Sequence, residues 1–377
     1  MWDLGFRPFY LAASALAALS VPLWALVYGG AISPGSLGGA VMHAHEMIFG
    51  FTLAVVAGFL FTAVRNWTER PTPTGGALAA IVALWIAGRV LLFTPFVLAA
   101  AVVNAAFPLA VAVGIGLPLY ASRNRRNYFF VALLVGAAAA EAMVHCAQAG
   151  LVELSPRLGL QAGLDIVLFM VAVIGGRVVP MFTNNGVPGA GATRNAGIER
   201  ASLGGILALL AADLAGVEGR AMVILAVSIA IVHGIRLALW KPWRTLSNPL
   251  VWVLHAAYAW IPAYLVLRAL AAVDLVPAPF ATHALTTGAI GGMIIGMMTR
   301  TARGHSGRPL RADRFEVAAY LLVQVAAMVR VFGGLALPAA YMQSVYLAAA
   351  CWSAAFAIYA VRYWPILTRP RADGKPG

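Results

Sequence analysis

The chain has 377 residues, of which 62% are hydrophobic and only 10% charged, and its mean hydropathy is +0.86. No soluble domain solvates such a surface, so the composition selects a polytopic membrane protein. The net charge of +13 would point to nucleic acid in a soluble chain, but here the cations fall in clusters between apolar runs. That is a topology signal, and nucleic acid is excluded as a partner.

Inside lipid every backbone polar group must be paired within its own segment, and the long unbroken apolar runs leave an all-α fold. The N-terminus passes from Arg7 directly into an apolar segment too long for a cleaved signal peptide, which reads as a retained first helix. About twelve spans are expected, near 9–29, 41–64, 77–93, 96–120, 128–150, 158–180, 200–215, 219–240, 249–270, 279–302, 314–334 and 338–364. The third and seventh are the shortest. The whole chain, 1–377, reads as one transmembrane domain without a separate soluble part, and the longest loop is expected at Met181 to Arg200.

An even number of spans puts both termini on one side. With that side cytoplasmic, all Lys and Arg residues fall at cytoplasmic ends except Arg89, Arg157, Arg220, Arg268 and Arg330. The expected location is therefore a cytoplasmic membrane with both termini inside. Spans two and ten show a faint internal repeat: His43-Ala and His283-Ala each lead through glycines to a threonine, an arginine and an Arg-Pro pair. Span six shares the glycine-then-arginine ending. Spacing by four helices hints at three four-helix units, although small-residue helix packing produces similar glycine patterns.

The organising stretch is His43-Ala-His-Glu at the start of span two. His43 lies 22 residues before Arg65, about 33 Å of helix, the depth of a bilayer core. This topology places His43, His45, His145 and His283 near the outer ends of spans two, five and ten. His233 and His255 fall in the inner half of spans eight and nine, and His305 in a cationic loop.

Four outer imidazoles have the composition of a metal site, suiting b-type haem or copper alike. His43 and His45 are about 200° apart on a helix, so they serve different partners. His283 is the expected trans-axial partner of one of them. Glu141 and His145, four apart, share a helix face, which suits Glu141 to supporting the imidazole or relaying protons, and Glu46, three after His43, could ligate copper or carry protons. His233 and His255 fit either a second haem or a packing pair. Arg89, Arg268 and Arg330 sit at outer ends against the charge rule, where haem propionates would pair them or headgroups would receive them. Cys146 and Cys351 lie in apolar runs and form no Cys-x-x-Cys-His site, which excludes covalently attached haem.

The motifs Phe6-Arg-Pro-Phe, His43-Ala-His-Glu, Arg65-Asn-Trp-Thr, Gly175-Gly-Arg-Val-Val-Pro and His283-Ala-Leu-Thr-Thr-Gly through Gly307-Arg-Pro-Leu together resemble the NnrS family over essentially the whole chain. The resemblance implies a bacterial inner-membrane protein containing haem b and copper, linked to nitric oxide metabolism and nitrosative-stress tolerance. A weaker resemblance is to the haem-copper oxidase and nitric oxide reductase fold, with twelve helices in three units. Span six, which lacks a histidine, and span seven, which lacks a His-His pair, depart from it.

Three functions follow as expectations. The first is an oxidoreductase converting nitric oxide, drawing electrons from a donor such as quinol. The others are a non-catalytic nitric oxide binder or sensor, and a transporter of copper or a nitrosyl-iron species.

Overall fold

The computed structural model describes residues 1–32 and 39–374. Among them the regular structure is helical throughout, in twelve helices. These are α1 (Phe6–Tyr28), α2 (Gly39–Thr68), α3 (Gly75–Leu91), α4 (Val97–Ala121), α5 (Arg125–Gln148), α6 (Pro156–Gly186), α7 (Ala196–Leu214), α8 (Gly219–Arg244), α9 (Pro249–Ala271), α10 (Ala278–His305), α11 (Arg314–Ala336) and α12 (Pro338–Thr368). They follow the expected spans one for one.

Ten of the twelve are long and apolar enough to cross a membrane. The two that are not are the third and the seventh. Helix α3 has 17 residues, about 26 Å at 1.5 Å per residue, short of a full hydrocarbon core. Helix α7 is long enough but carries Glu199, Arg200 and Asp213. The loop expected from Met181 is shorter than the sequence implied, because α6 continues as helix through Asn184 to Gly186. Both cysteines are free thiols.

The chain divides into two compact units. The first comprises Met1–Val167, Ala302–Arg308 and Ala360–Gly377, and the second Leu168–Thr301 and Pro309–Tyr359. Within the first, α2 packs on α1 and α4, and α4 packs on α3 and α5. Within the second, α9 packs on α8 and α10, and α7 on α8.

Three helices are locally widened to π geometry, at Glu46–Thr52 in α2, Ala284–Gly291 in α10 and Val329–Gly333 in α11. Such segments recur at functional sites because they re-aim side chains and release backbone groups. In α2 and α10 the π segment begins one residue after a histidine, His45 and His283 respectively. The shift of 238 that carries His45 onto His283 also carries Gly50, Gly58, Arg65, Arg70 and Pro71 onto Gly288, Gly296, Arg303, Arg308 and Pro309. The repeat legible in the sequence is thus in register through His45, where the amino-acid pattern had paired His43 with His283.

Candidate metal centre

The π segment of α2 organises the first unit's polar interior. On a regular helix consecutive side chains point about 100° apart and do not meet. Here His45 Nδ1 lies 3.1 Å from Oε1 of Glu46, the next residue. A carboxylate only accepts, so Nδ1 carries the imidazole proton, and in the neutral ring Nε2 presents its lone pair.

Helix α5 supplies the opposing side. Glu141 and His145 are one turn apart, as their spacing required, and both are buried. Glu141 Oε1 is 3.3 Å from His45 Nε2, and the His45 and His145 rings meet nearly edge-on with centroids 4.9 Å apart. One donor atom from each of His45, Glu141 and His145 lies within 4.8 Å of the others. Among the described residues, His45 Nε2, His145 Nε2 and Glu141 Oε2 are all buried without a hydrogen-bond partner. Buried polar atoms are almost always paired, so three in a cluster this tight call for a partner.

Helices α3 and α4 complete the surroundings. Arg89 on α3 places Nε 3.0 Å from Glu46 Oε1 and Nη2 4.0 Å from Glu141 Oε1. Its guanidinium also donates to Asn104 Oδ1, while Asn104 Nδ2 donates to the carbonyls of Gly88 and Ala100. Gly50 makes room for this arrangement, since a Cβ there would lie 3.2 Å from both Arg89 Nη1 and Glu46 Oε2. The Gly50 carbonyl accepts from Trp85 Nε1 at 2.9 Å.

The charge count is uneven. Two carboxylates, Glu46 and Glu141, face one guanidinium, Arg89, and all three are buried. A surplus negative charge away from water is costly, so the site favours a cation. A metal bound at about 2.1 Å holds its donors roughly 3.5–4.2 Å apart, close to the span seen here. The donor set therefore fits one metal ion, and it leaves no room for a porphyrin between the three groups.

The remaining sequence-derived residues are placed elsewhere. His43 stacks on Trp24 of α1 with ring centroids 5.2 Å apart and planes 10° from parallel, on a different side of α2 from His45, as the angular argument required. His283 belongs to the second unit, where Nδ1 lies 2.7 Å from the Pro279 carbonyl. Arg89, for which a haem propionate or a lipid headgroup was expected, pairs with the protein's own Glu46. Arg268 likewise pairs with Asp213 and donates to Tyr264 Oη at 3.1 Å. Arg330 lies beside Phe280 and Tyr341. His305 packs against Phe6.

In the second unit, His233 and His255 are both buried, each held by a different partner. His233 Nδ1 is 2.7 Å from Tyr258 Oη, and His255 Nε2 is 2.8 Å from Thr183 Oγ1. Tyr258 Oη also accepts from Arg236 at 2.8 Å, and Arg236 forms a two-pronged ion pair with Glu199 at 3.0 and 2.6 Å. This network was not anticipated, and neither were Asn104 or the buried Asp165, which accepts from Gln161 at 2.9 Å. Their shared signal was a polar residue inside an apolar run.

A comparison with curated protein sequences finds none that matches the chain. Among family models, that described as NnrS protein matches residues 1–371. A match over essentially the whole length, joined to a polytopic fold with a buried His/Glu cluster, settles the classification: the chain belongs to the NnrS family.

Proposed function

We propose that this protein is a metal-dependent redox enzyme acting on nitric oxide, with His45, Glu141 and His145 holding a copper ion. The observation that carries the proposal is that one ligand atom from each of His45, Glu141 and His145 lies within 4.8 Å of the others, in a buried cluster that also holds side-chain atoms without a hydrogen-bond partner among the described residues. Imidazole nitrogen suits copper well. Family membership supports the link to nitric oxide and the involvement of haem b. Haem enters through the family alone, with ligands to be sought among His43, His283, His233 and His255.

Bound copper would supply a one-electron redox couple. The chain's own residues supply the rest. Glu46 holds the His45 ring in the tautomer that exposes Nε2, and Arg89 offsets one of the two carboxylate charges. Glu141 offers a second carboxylate oxygen at the cluster, suited to carrying a proton. Reductive coupling of two nitric oxide molecules consumes two electrons and two protons and yields nitrous oxide and water, so a carboxylate at the site meets a requirement of the reaction.

A cytoplasmic membrane location with both termini inside is proposed on the distribution of cations, and a nitrosative-stress role on the family. Quinol is proposed as the electron source, because it shares the membrane.

The test is anaerobic addition of nitric oxide and a reductant to purified, metal-quantified protein. The enzyme consumes nitric oxide in proportion to reductant. Uptake that stops at one equivalent per site would overturn catalysis in favour of a binder or sensor.

A further inference from the structure

The short helix α3 meets the widened part of α2 at two points one turn apart. Arg89 pairs with Glu46, with Nε 3.0 Å from Oε1, and Trp85 Nε1 donates to the Gly50 carbonyl at 2.9 Å. Glu46 and Gly50 are four apart, as are Trp85 and Arg89, so each helix offers one face to the other. We propose that Trp85 is a positioning residue for the metal centre: its indole N–H holds α2 in the π geometry that brings His45 and Glu46 together.

In a π segment the regular helical ladder is interrupted, and carbonyls there become open to donors from elsewhere. Side chains serve two of them in Glu46–Thr52. The Met47 carbonyl accepts from Thr52 Oγ1 at 2.8 Å, within the segment itself, whereas the Gly50 carbonyl takes its donor from another helix. Trp85 is buried, where an indole N–H needs an acceptor and water is not at hand. The bond thus meets a need on both helices. Without that donor, the Gly50 carbonyl is paired by a return to the regular ladder, in which His45 and Glu46 point about 100° apart. His45 then loses the carboxylate that fixes its proton on Nδ1, and its Nε2 lone pair is no longer held toward Glu141 and His145.

The Trp85 ring makes a second contact at the same site. The Arg89 guanidinium carbon lies 5.7 Å from the ring, within reach of cation–π attraction. One side chain therefore acts on Glu46 twice, through the backbone that aims it at His45 and through the guanidinium that offsets its charge. Phenylalanine at this position keeps a ring face and removes the N–H, which separates the two effects.

The metal role of Trp85 rests on the copper reading, whereas its hold on His45 is measured without any ion. Full-length protein in nanodiscs is prepared as the parent, as Trp85→Phe, and with benzothienylalanine in place of Trp85, which keeps the indole shape and replaces N–H by sulfur. Chelator competition gives copper affinity and electron paramagnetic resonance the copper spectrum. Nitrogen NMR of metal-free protein gives the His45 tautomer, its signals identified by their absence in His45→Gln. Both variants are expected to bind copper about tenfold more weakly, with altered hyperfine splitting in the copper that remains. His45 is expected to divide between its two neutral tautomers, where the parent keeps the proton on Nδ1. Parent-like affinity, spectrum and tautomer in the benzothienylalanine protein would overturn the assignment, and so would a lower melting temperature with those three unchanged, since that is a packing role alone. A parent that binds no copper would remove the copper reading, and the His45 tautomer would then decide for or against Trp85 by itself.

Discussion

His45 and Glu46 are adjacent in sequence, yet His45 Nδ1 lies 3.1 Å from Glu46 Oε1, a contact that a regular helical twist opposes and that the π segment starting at Glu46 allows. The contact fixes the imidazole proton on Nδ1 and turns the basic Nε2 toward Glu141 and His145. Replacing Glu46 by Gln keeps the volume and removes the carboxylate. Loss of such a partner typically lowers metal affinity about 10–100-fold, and a chelator-competition titration of Glu46→Gln should show a drop of that size. Affinity equal to the parent would mean that Glu46 does not orient His45.

Arg89 is the counter-ion of the cluster. Arg89→Leu strands Glu46 and Glu141 together, and breaking a buried pair costs on the order of 3–5 kcal/mol. Metal-free Arg89→Leu should therefore unfold well below the parent, and added copper should recover more of that loss than it adds to the parent. Thermal unfolding with and without chelator measures both. A variant whose stability does not respond to the metal would contradict the charge argument.

Gly50 is a spatial requirement. A methyl group there meets Arg89 and Glu46 at 3.2 Å, whereas at Gly76, one helix later, a Cβ meets nothing within 4 Å. Gly50→Ala should lower copper occupancy and Gly76→Ala should not, as read by metal analysis of matched preparations. Equal occupancy in the two would show that the packing around Arg89 is looser than the structure indicates.

Arg236 and Glu199 give the second unit its own buried ion pair. Arg236→Met alone should cost several kcal/mol by leaving Glu199 and Tyr258 without their partner. The double substitution Arg236→Met/Glu199→Gln should cost less than the sum of the two single changes. A denaturation cycle over the four proteins tests this, and additivity would show that the pair is not coupled.

The sequence made the architecture legible because lipid leaves few choices: apolar runs of bilayer length become helices, and the twelve expected spans match twelve observed helices. It also located Glu141 and His145, since residues four apart on a helix share a face. What it could not place were contacts that depend on departures from regular helix. The adjacency of His45 and Glu46, and the register of the repeat through His45, both arise from π segments that leave no periodic trace. Arg89 showed the same limit in another way. Its position opposed the charge rule and pointed to a missing anion, but one helix pattern cannot reveal that the anion lies on another helix, at Glu46. The network of His233, Tyr258, Arg236 and Glu199 likewise spans helices far apart in sequence.

The copper assignment is tested most directly by copper quantification joined to electron paramagnetic resonance on purified protein and on His45→Ala and His145→Ala. A copper ion held by His45, Glu141 and His145 gives about one copper per chain with nitrogen hyperfine structure from imidazole, lost or strongly altered in each variant while the fold is retained. Copper content and spectrum unchanged in both would contradict it, because the metal would then lie away from His45, Glu141 and His145.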